Sequence, residues 1–248
     1  MLAIVGGSGF TQISGFDTVR REVVRTPYGE PSGALAFGTV GGCAVTFLAR
    51  HGYGHSIPPH QINYRANIWA LHAQGAKNVV AIAAVGGIRD DLEPGALVIP
   101  DQIIDYTHGR ASTFFTLADR GVQHIDFTFP YSPALRAMCL QAARQAGETV
   151  MDGGVYAATQ GPRLETAAEI NRLERDGADI VGMTGMPEAA LAREIGLSYA
   201  SIAVVVNHAA GRGASLAGIP LDDMAATLQQ AMVKVQRIIE QVVTLHGD

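Results

Sequence analysis

Residues 78–85 read Asn-Val-Val-Ala-Ile-Ala-Ala-Val, an uninterrupted apolar run after one asparagine. The run has the length of a β-strand, and its lack of polar alternation predicts a strand that is buried on both faces. Residues 199–206 form a second apolar run of similar length. Because such strands occur where helices cover both sides of a sheet, the two runs predict the α/β class.

Strand-like and helix-like stretches alternate around these two runs. Further strands are predicted at residues 2–5, 35–39, 43–48, 97–99, 103–106, 155–158 and 179–181, and helices at 63–74, 132–145, 166–175, 187–195 and 221–245. The longest predicted loops are residues 108–131 and 208–220. Since no repeat or linker divides the chain, we expect one domain over residues 1–248. Its predicted architecture is a three-layer sandwich, with helices on both sides of a mixed central sheet.

The composition excludes several classes of protein. The 248 residues are 48% hydrophobic and 17% charged, with a formal net charge of −5. A chain with this share of hydrophobic residues is not disordered. Its net negative charge also lacks the excess of basic residues that is typical of nucleic-acid-binding proteins. No apolar stretch reaches the roughly 18 residues of a membrane span, and the N-terminus lacks the basic segment of a secretory signal. We therefore expect a cytoplasmic protein that binds neither nucleic acid nor membrane.

Cysteine and histidine give no sign of a metal site. Cys43 and Cys139 are too few for a disulfide scaffold or a four-ligand zinc site. His51, His55 and His60 lie close together in the sequence, but their spacing matches no zinc motif. No metal is predicted.

A glycine-rich turn, Gly6-Gly7-Ser8-Gly9, directly follows the first predicted strand. A dinucleotide fingerprint would need a third glycine that is missing here, and Phe10 stands where a nucleophile elbow needs glycine. Two interpretations remain. The turn binds an anion through its backbone N–H groups and one hydroxyl, or it is a tight turn without a ligand.

Arg50 and His51 follow the strand predicted at residues 43–48. In α/β folds, the carboxyl ends of the strands face the ligand crevice. The guanidinium of Arg50 can bind an oxyanion with two parallel hydrogen bonds, and we expect His51 to add a second donor. The alternative for Arg50 is a salt bridge on the surface.

Five short motifs span nearly the whole chain. They are IVGGSG at residues 4–9, LARHG at 48–52, NYRANIWAL at 63–71, GPR at 161–163 and GMTGMPE at 182–188. In this order they resemble the trimeric purine nucleoside phosphorylases, and within them the methylthioadenosine phosphorylase branch. The resemblance implies cleavage of an N-glycosidic bond by inorganic phosphate, a co-substrate that acts without a further cofactor. It also implies a homotrimer with sites at the subunit interfaces.

The resemblance implies a phosphate site at matching positions of this chain. Its members are Ser8, Arg50, His51, Thr184 and the backbone N–H of Ala84. Enzymes of the methylthioadenosine type carry threonine where Ala83 stands, so one hydroxyl contact is missing here. Met183 is expected beneath the ribose, where an apolar, polarisable side chain fits.

Two residues are expected to select the purine. Methylthioadenosine phosphorylases carry one aspartate at the position of Asn207 and another at the position of Ala209. An amide can donate to O6 of a 6-oxopurine and accept from a protonated N7, so Asn207 is predicted to be catalytic. Glu165 can accept the N1–H that adenine lacks, although a carboxylate favoured by a helix N-terminus is the structural alternative. Their neighbours Leu164 and His208 are included in the predicted base site.

The sugar tail is predicted to lie in an apolar pocket. Residues 211–224 contain no histidine for a 5′-hydroxyl, whereas Ile219, Leu221 and Met224 predict an apolar wall, unless they only dock the last helix. The resemblance places His55, and His124 of a neighbouring subunit, near this pocket. Together the base and sugar residues predict 5′-methylthioinosine as substrate, with hypoxanthine and 5-methylthioribose 1-phosphate as products.

Other functions remain open at this point. A methylthioadenosine phosphorylase or an inosine/guanosine phosphorylase would use the same phosphate site. A hydrolase would need a carboxylate base near the sugar, and none can be assigned. A purine-binding protein without catalytic activity would not need the anion-binding residues.

Overall fold

The computed structural model describes residues 1–10, 13–115 and 121–247. Within these ranges, eleven strands and five α-helices follow one another. The strands are β1 (Leu2–Gly6), β2 (Phe16–Glu22), β3 (Leu35–Val40), β4 (Cys43–Ala49), β5 (Asn78–Gly87), β6 (Leu97–Ile99), β7 (Gln102–Asp105), β8 (Met151–Asp152), β9 (Val155–Ala158), β10 (Ile180–Gly182) and β11 (Ser198–His208). The helices are α1 (Tyr64–Ala73), α2 (Pro133–Gln145), α3 (Ala167–Arg175), α4 (Gly185–Glu194) and α5 (Leu221–Gly247).

Each face of the sheet carries its own apolar core. Successive side chains of a strand point to opposite faces, and on β1 this places Ala3 and Val5 in one core and Leu2 and Ile4 in the other. Helices α1 and α4 cover the first face, while α2 and α5 cover the second. The predicted three-layer α/β sandwich is therefore confirmed.

The sheet is mixed, as predicted, and is centred on β5. Its path runs β2-β3-β4-β1-β5-β10-β9-β7, while β11 joins β5 to β6, and β6 pairs with β8. Strands β4, β1, β5 and β11 are mutually parallel neighbours, whereas β10 runs antiparallel to β5.

One edge of β5 opens between two neighbours, and this opening positions the site. The edge pairs with β1 over residues 78–81 and with β10 over residues 86–87. Residues 82–85 have neither strand beside them on this edge. The carboxyl end of β1 borders the opening, in agreement with the rule for ligand crevices in α/β sheets.

The helix starts agree with the capping signals in the sequence. The side chains of Asn63, Ser132 and Thr166 accept hydrogen bonds from the first turns of α1, α2 and α3. Pro133 takes the first helical position of α2, where its missing N–H costs no hydrogen bond.

Strands β2 and β8 were not predicted. Most side chains of β2 are exposed, so its sequence, FDTVRRE, lacks the apolar alternation that indicates a strand. Strand β8 has only two residues. Helix α4 starts at Gly185 and not at 187, but Met186 has a non-helical backbone, and regular helix begins at Pro187 as predicted.

The long connections also lie where they were predicted. Between β7 and α2, the described residues form no regular element, and between β11 and α5 they form one 3-10 turn, Gly213–Ser215. Among the helices of the described ranges, none combines the length and apolar character needed to cross a bilayer.

Candidate active site

A cavity of about 170 Å³ lies at the opening of the sheet. It brings together most of the residues predicted from the sequence, although they come from distant parts of the chain. The predicted residues that line it are Ser8, Arg50, His51, Ala83, Ala84, Leu164, Glu165, Met183, Thr184, Asn207, Ala209 and Met224.

The glycine turn packs too closely against β5 for larger residues. A Cβ on Gly7 would lie 2.4 Å from the Ile82 carbonyl oxygen and 3.0 Å from Nη1 of Arg50. Glycine at this position therefore lets the turn approach the open edge of β5, and Ser8 is left lining the cavity. Of the two interpretations of this turn, the anion-binding one agrees with its position.

Arg50 is held rigidly at one end of the cavity, which we name the anion end. Its Nε and Nη2 atoms each donate to a different oxygen of Glu188 at 2.7 Å, and Nη1 donates to the Ile82 carbonyl at 2.8 Å. Of the five guanidinium N–H groups, two remain free for an anion. Burial opposes the charge of Arg50, but Glu188 outweighs burial and raises the pKa of the guanidinium. The alternative of a surface salt bridge was wrong, because both side chains are buried.

His51 stands beside Arg50 as a neutral ring. Burial, followed by the charge of Arg50, lowers the pKa of His51 to about 4. Its Nδ1 is 2.9 Å from the Ile57 carbonyl oxygen, which can only accept, so Nδ1 carries the proton. The remaining nitrogen, Nε2, is then an acceptor. The expectation that His51 donates to an anion is corrected: at neutral pH it can accept a hydrogen bond from a protonated phosphate oxygen.

Thr184 enters the anion end from the start of α4. It is the N-cap residue, but its side chain makes no capping hydrogen bond and lines the cavity. The N-terminus of a helix favours a negative charge. Ala83 and Ala84 complete this end from the open edge of β5. The Ile82 carbonyl already faces this edge, and peptide groups two residues apart point to the same edge, so the Ala84 N–H also faces it.

Asn207 defines the opposite end, which we name the base end. A β-bulge inserts Val206 between the residues that pair with Val85 and Gly86, and both Val206 and Asn207 line the cavity. The Asn207 amide Nδ2 donates to the His208 carbonyl at 2.6 Å. Within the described residues, one N–H and the amide oxygen have no partner, which matches the predicted donor and acceptor for a 6-oxopurine.

Glu165 is half-buried beside Leu164 at the base end. One of its carboxylate oxygens accepts a hydrogen bond from the Thr159 hydroxyl at 2.6 Å, which orients the group. The second oxygen is free to meet a donor. Glu165 also borders a second hollow, of about 430 Å³, whose wall includes Tyr106 and Arg172.

Five predicted residues do not line the cavity in this chain. The bulge turns His208 away, and its Nε2 lies 3.1 Å from an oxygen of Glu93. His124 is exposed, Ile219 is half-buried and Leu221 is 64% exposed. The predicted apolar wall is therefore reduced to Met224, because α5 begins at Leu221 with that side chain directed to solvent.

His55, the fifth of these residues, lies behind the anion end. Its Nε2 forms a 2.8 Å hydrogen bond with the Ser8 hydroxyl, and its ring stacks 4.6 Å from that of His51. Its φ angle of 50° places it in the left-handed region, which is costly for a residue other than glycine. His55 thus contacts two predicted phosphate-site residues, but it does not line the cavity.

Three residues that contact the site were not singled out from the sequence. Glu188 accepts two hydrogen bonds from Arg50, and Tyr199 donates to Glu188. Arg110 donates to the carbonyls of Met183, at 2.8 Å, and Gln160, at 2.8 Å. Glu188 ends one of the quoted motifs, and a carboxylate within the otherwise apolar stretch 185–192 is a usable signal. Tyr199 and Arg110 have no comparable pattern around them.

Metal ligands do not cluster in the described parts of the chain: no group of three His, Cys, Asp or Glu side chains there could hold an ion. The charged side chains that line the cavity in these parts are Arg50, which is paired with the buried Glu188, and Glu165.

Solved structures with the same fold contain related enzymes. The methylthioadenosine phosphorylase from Schistosoma mansoni in complex with adenine superposes with a TM-score of 0.93 at 36% identity. The match covers 99% of this chain and 91% of that one.

Curated relatives are more similar in sequence. A probable S-methyl-5′-thioinosine phosphorylase from Pseudomonas syringae pv. tomato is 52% identical over 242 residues, which is 98% of each chain. A 6-oxopurine nucleoside phosphorylase from Pyrococcus furiosus is 49% identical over 85% of this chain and 80% of its own length. The sequence profile of the Phosphorylase superfamily matches residues 1–244, and the chain belongs to this superfamily.

Proposed function

We propose that this enzyme cleaves 5′-methylthioinosine with inorganic phosphate, giving hypoxanthine and 5-methylthioribose 1-phosphate. The observation that carries the proposal is that Asn207 and Glu165 line the same cavity as Arg50, Ser8 and Thr184. The residues proposed to bind a 6-oxopurine and those proposed to bind an anion thus line one cavity.

The reaction needs no covalent intermediate with the protein. The bond between the anomeric carbon and N9 of the purine breaks, and a phosphate oxygen forms a new bond to that carbon. Charge therefore builds up on the purine while the sugar becomes cation-like. Arg50, Ser8 and Thr184 hold the phosphate against the sugar, and Met183 lines the same cavity.

Asn207 stabilises the departing base. Its free N–H donates to O6, and its amide oxygen accepts from N7 when that nitrogen takes a proton. The free oxygen of Glu165 accepts from N1–H. Adenine offers an acceptor at N1 and a donor at C6, so both contacts are mismatched. Because each unmatched buried polar contact costs about 1–3 kcal/mol, the preference for the 6-oxopurine is about 100-fold or more.

The methylthio preference rests on Met224 and on the Pseudomonas relative that carries this activity in its name. An apolar side chain such as Met224 beside the 5′ position of the sugar favours a thioether over a hydroxyl, because a buried hydroxyl loses its hydrogen bonds to water. The family resemblance implies that His124 of a neighbouring subunit also lies near the 5′ position of the sugar.

A 6-oxopurine nucleoside phosphorylase is the second candidate. Ile219 and Leu221 do not line the cavity, so the apolar wall in one chain is small. The Pyrococcus relative is nearly as similar as the Pseudomonas one. Both candidates share the base and anion ends and differ only at the 5′ position.

Steady-state assays with three nucleosides test the proposal. We expect kcat/KM for 5′-methylthioinosine to exceed that for methylthioadenosine and for inosine, and purine release to require added phosphate. A preference for inosine would establish the second candidate. A preference for methylthioadenosine would contradict the base assignment, and purine release in phosphate-free buffer would indicate a hydrolase.

The assembly, surroundings and cofactor requirement are part of the same proposal. We propose a cytoplasmic homotrimer that needs phosphate but no further cofactor. Light scattering after gel filtration should give three times the 26.1 kDa mass of the chain. Activity should survive exhaustive treatment with chelators.

A further inference from the structure

Arg50 belongs to a buried network that extends away from the cavity. Each oxygen of Glu188, on α4, accepts from Arg50, and one of them also accepts from the Tyr199 hydroxyl of β11 at 2.7 Å. The three side chains are 1%, 0% and 3% exposed. Neither Glu188 nor Tyr199 lines the cavity, so neither can contact an anion bound there.

Stability alone is a poor reason for such a network. Removing two charges from water costs as much as or more than their attraction returns, so a buried ion pair is weak evidence for stabilisation. The negative charge of Glu188 also opposes anion binding nearby. The presence of Glu188 is understandable if the orientation of the Arg50 guanidinium matters more for anion binding than the net charge of the ion pair.

The geometry supports a positioning role. Both oxygens of Glu188 are occupied by one edge of the guanidinium, which fixes its plane and directs the free N–H groups. The carboxylate lies on the same helix as Thr184, four residues later. The ion pair therefore fixes Arg50 relative to another predicted phosphate ligand.

We propose that Glu188 and Tyr199 are positioning residues that hold the Arg50 fork in the orientation that phosphate requires. This inference rests on the proposed function of the anion end. Tyr199 stays protonated, because burial raises its pKa, and so it remains a donor to Glu188.

The chain contains a matched control for Tyr199. The Tyr131 ring stacks on that of Tyr199 at 6.0 Å, and it is also buried. Its hydroxyl has no hydrogen-bond partner within the described residues. Tyr199→Phe and Tyr131→Phe thus delete the same atom from adjacent rings, but only the first deletion touches Glu188.

The test compares phosphate binding by wild type, Tyr199→Phe, Tyr131→Phe and Glu188→Gln. We expect Tyr199→Phe to raise KM for phosphate about fivefold and Tyr131→Phe to leave it unchanged. Glu188→Gln should raise it about 30-fold or more, since the NH₂ group of glutamine replaces one of the two oxygens that accept from Arg50. KM for the nucleoside and the dissociation constant of hypoxanthine should change less than twofold in all three variants.

The two possible roles of Glu188 predict opposite signs. If Glu188 acted only through its charge, Glu188→Gln would remove a repulsion and lower KM for phosphate. A lower or unchanged KM in this variant would overturn the proposal, as would equal effects of the two tyrosine variants. Should Glu188→Gln fail to fold, the tyrosine pair decides the question.

Failure of this inference can be distinguished from failure of the proposed function. The rise in melting temperature caused by inorganic phosphate measures binding without turnover. If wild type shows neither this rise nor phosphate-dependent purine release, the proposed function is wrong. If wild type shows both and the tyrosine variants do not differ, only the positioning role is wrong.

Discussion

The anion end and the base end of the cavity are held in different ways. At the anion end, the position of Arg50 is fixed by buried partners from α4 and β5. At the base end, Glu165 lies half-buried in a loop and has one hydrogen bond, to Thr159 of the same connection. The base end also adjoins the second, larger hollow, whereas the anion end does not.

The difference suggests a division of labour. On the proposed assignment, phosphate is the constant reactant and meets preorganised groups in the core, where reorganisation is costly. The purine and the sugar tail vary among relatives, and they are met by loop and strand-end residues that can change without disturbing the core. Substitutions at the two ends should therefore have separable effects on phosphate and on the nucleoside.

The largest effect is expected from Arg50→Lys. Lysine keeps the charge but cannot reproduce the fork shared between Glu188 and phosphate, so kcat/KM should fall at least about 100-fold. Phosphorolysis assays at saturating nucleoside would measure the loss. Arg237→Lys is the control, because Arg237 pairs with Glu148 away from the cavity. A loss below tenfold would mean that the anion end is not built around Arg50.

Asn207→Asp should change the choice of purine. A carboxylate accepts from the 6-amino group of adenine but cannot donate to O6. The ratio of kcat/KM for 5′-methylthioinosine to that for methylthioadenosine should fall about 100-fold. KM for phosphate should stay within threefold of wild type. Asn171→Asp adds the same charge on the exposed surface of α3 and should leave the ratio unchanged.

Arg110→Lys should weaken nucleoside binding more than phosphate binding. Arg110 donates to main-chain carbonyls of Gln160 and Met183, in the two loops that carry base-end and ribose residues. Lysine cannot span these acceptors, so KM for the nucleoside should rise about tenfold. An equal rise in KM for phosphate would show that the two ends are coupled, and it would contradict their separable effects.

The last effect is on folding stability and concerns the titration of His51 at the anion end. The folded protein keeps His51 neutral, with its pKa lowered to about 4, whereas the unfolded chain binds a proton below its ordinary value of 6.5. The stability that this gives is present above pH 6.5 and is lost as pH falls towards 4. Between pH 7.5 and 5.0, wild type should lose about 2 kcal/mol more unfolding free energy than His51→Gln.

Urea unfolding at the two pH values gives this difference. Subtracting the variant removes the contributions of the other titrating groups. Equal losses in both proteins would mean that His51 is as easily protonated in the folded state as in the unfolded one.

Local sequence determined the fold and much of the site. The apolar runs at 78–85 and 199–206 specify strands buried on both faces, and capping residues such as Ser132 mark the helix starts. That Ser8, Arg50 and Asn207 lie near one edge of the sheet was predictable because each ends or follows a strand, and the carboxyl ends of neighbouring parallel strands meet at one edge. Their expected roles came from the family resemblance.

Side-chain direction and partnership depended on contacts between distant segments. The Ile57 carbonyl makes His51 an acceptor, and the bulge in β11 presents Asn207 to the cavity while turning His208 towards Glu93. Glu188 meets Arg50 across 138 positions of the chain. Periodicity and spacing specify which residues form an element, but such pairings arise only when the elements pack, because they depend on three-dimensional register and not on sequence separation.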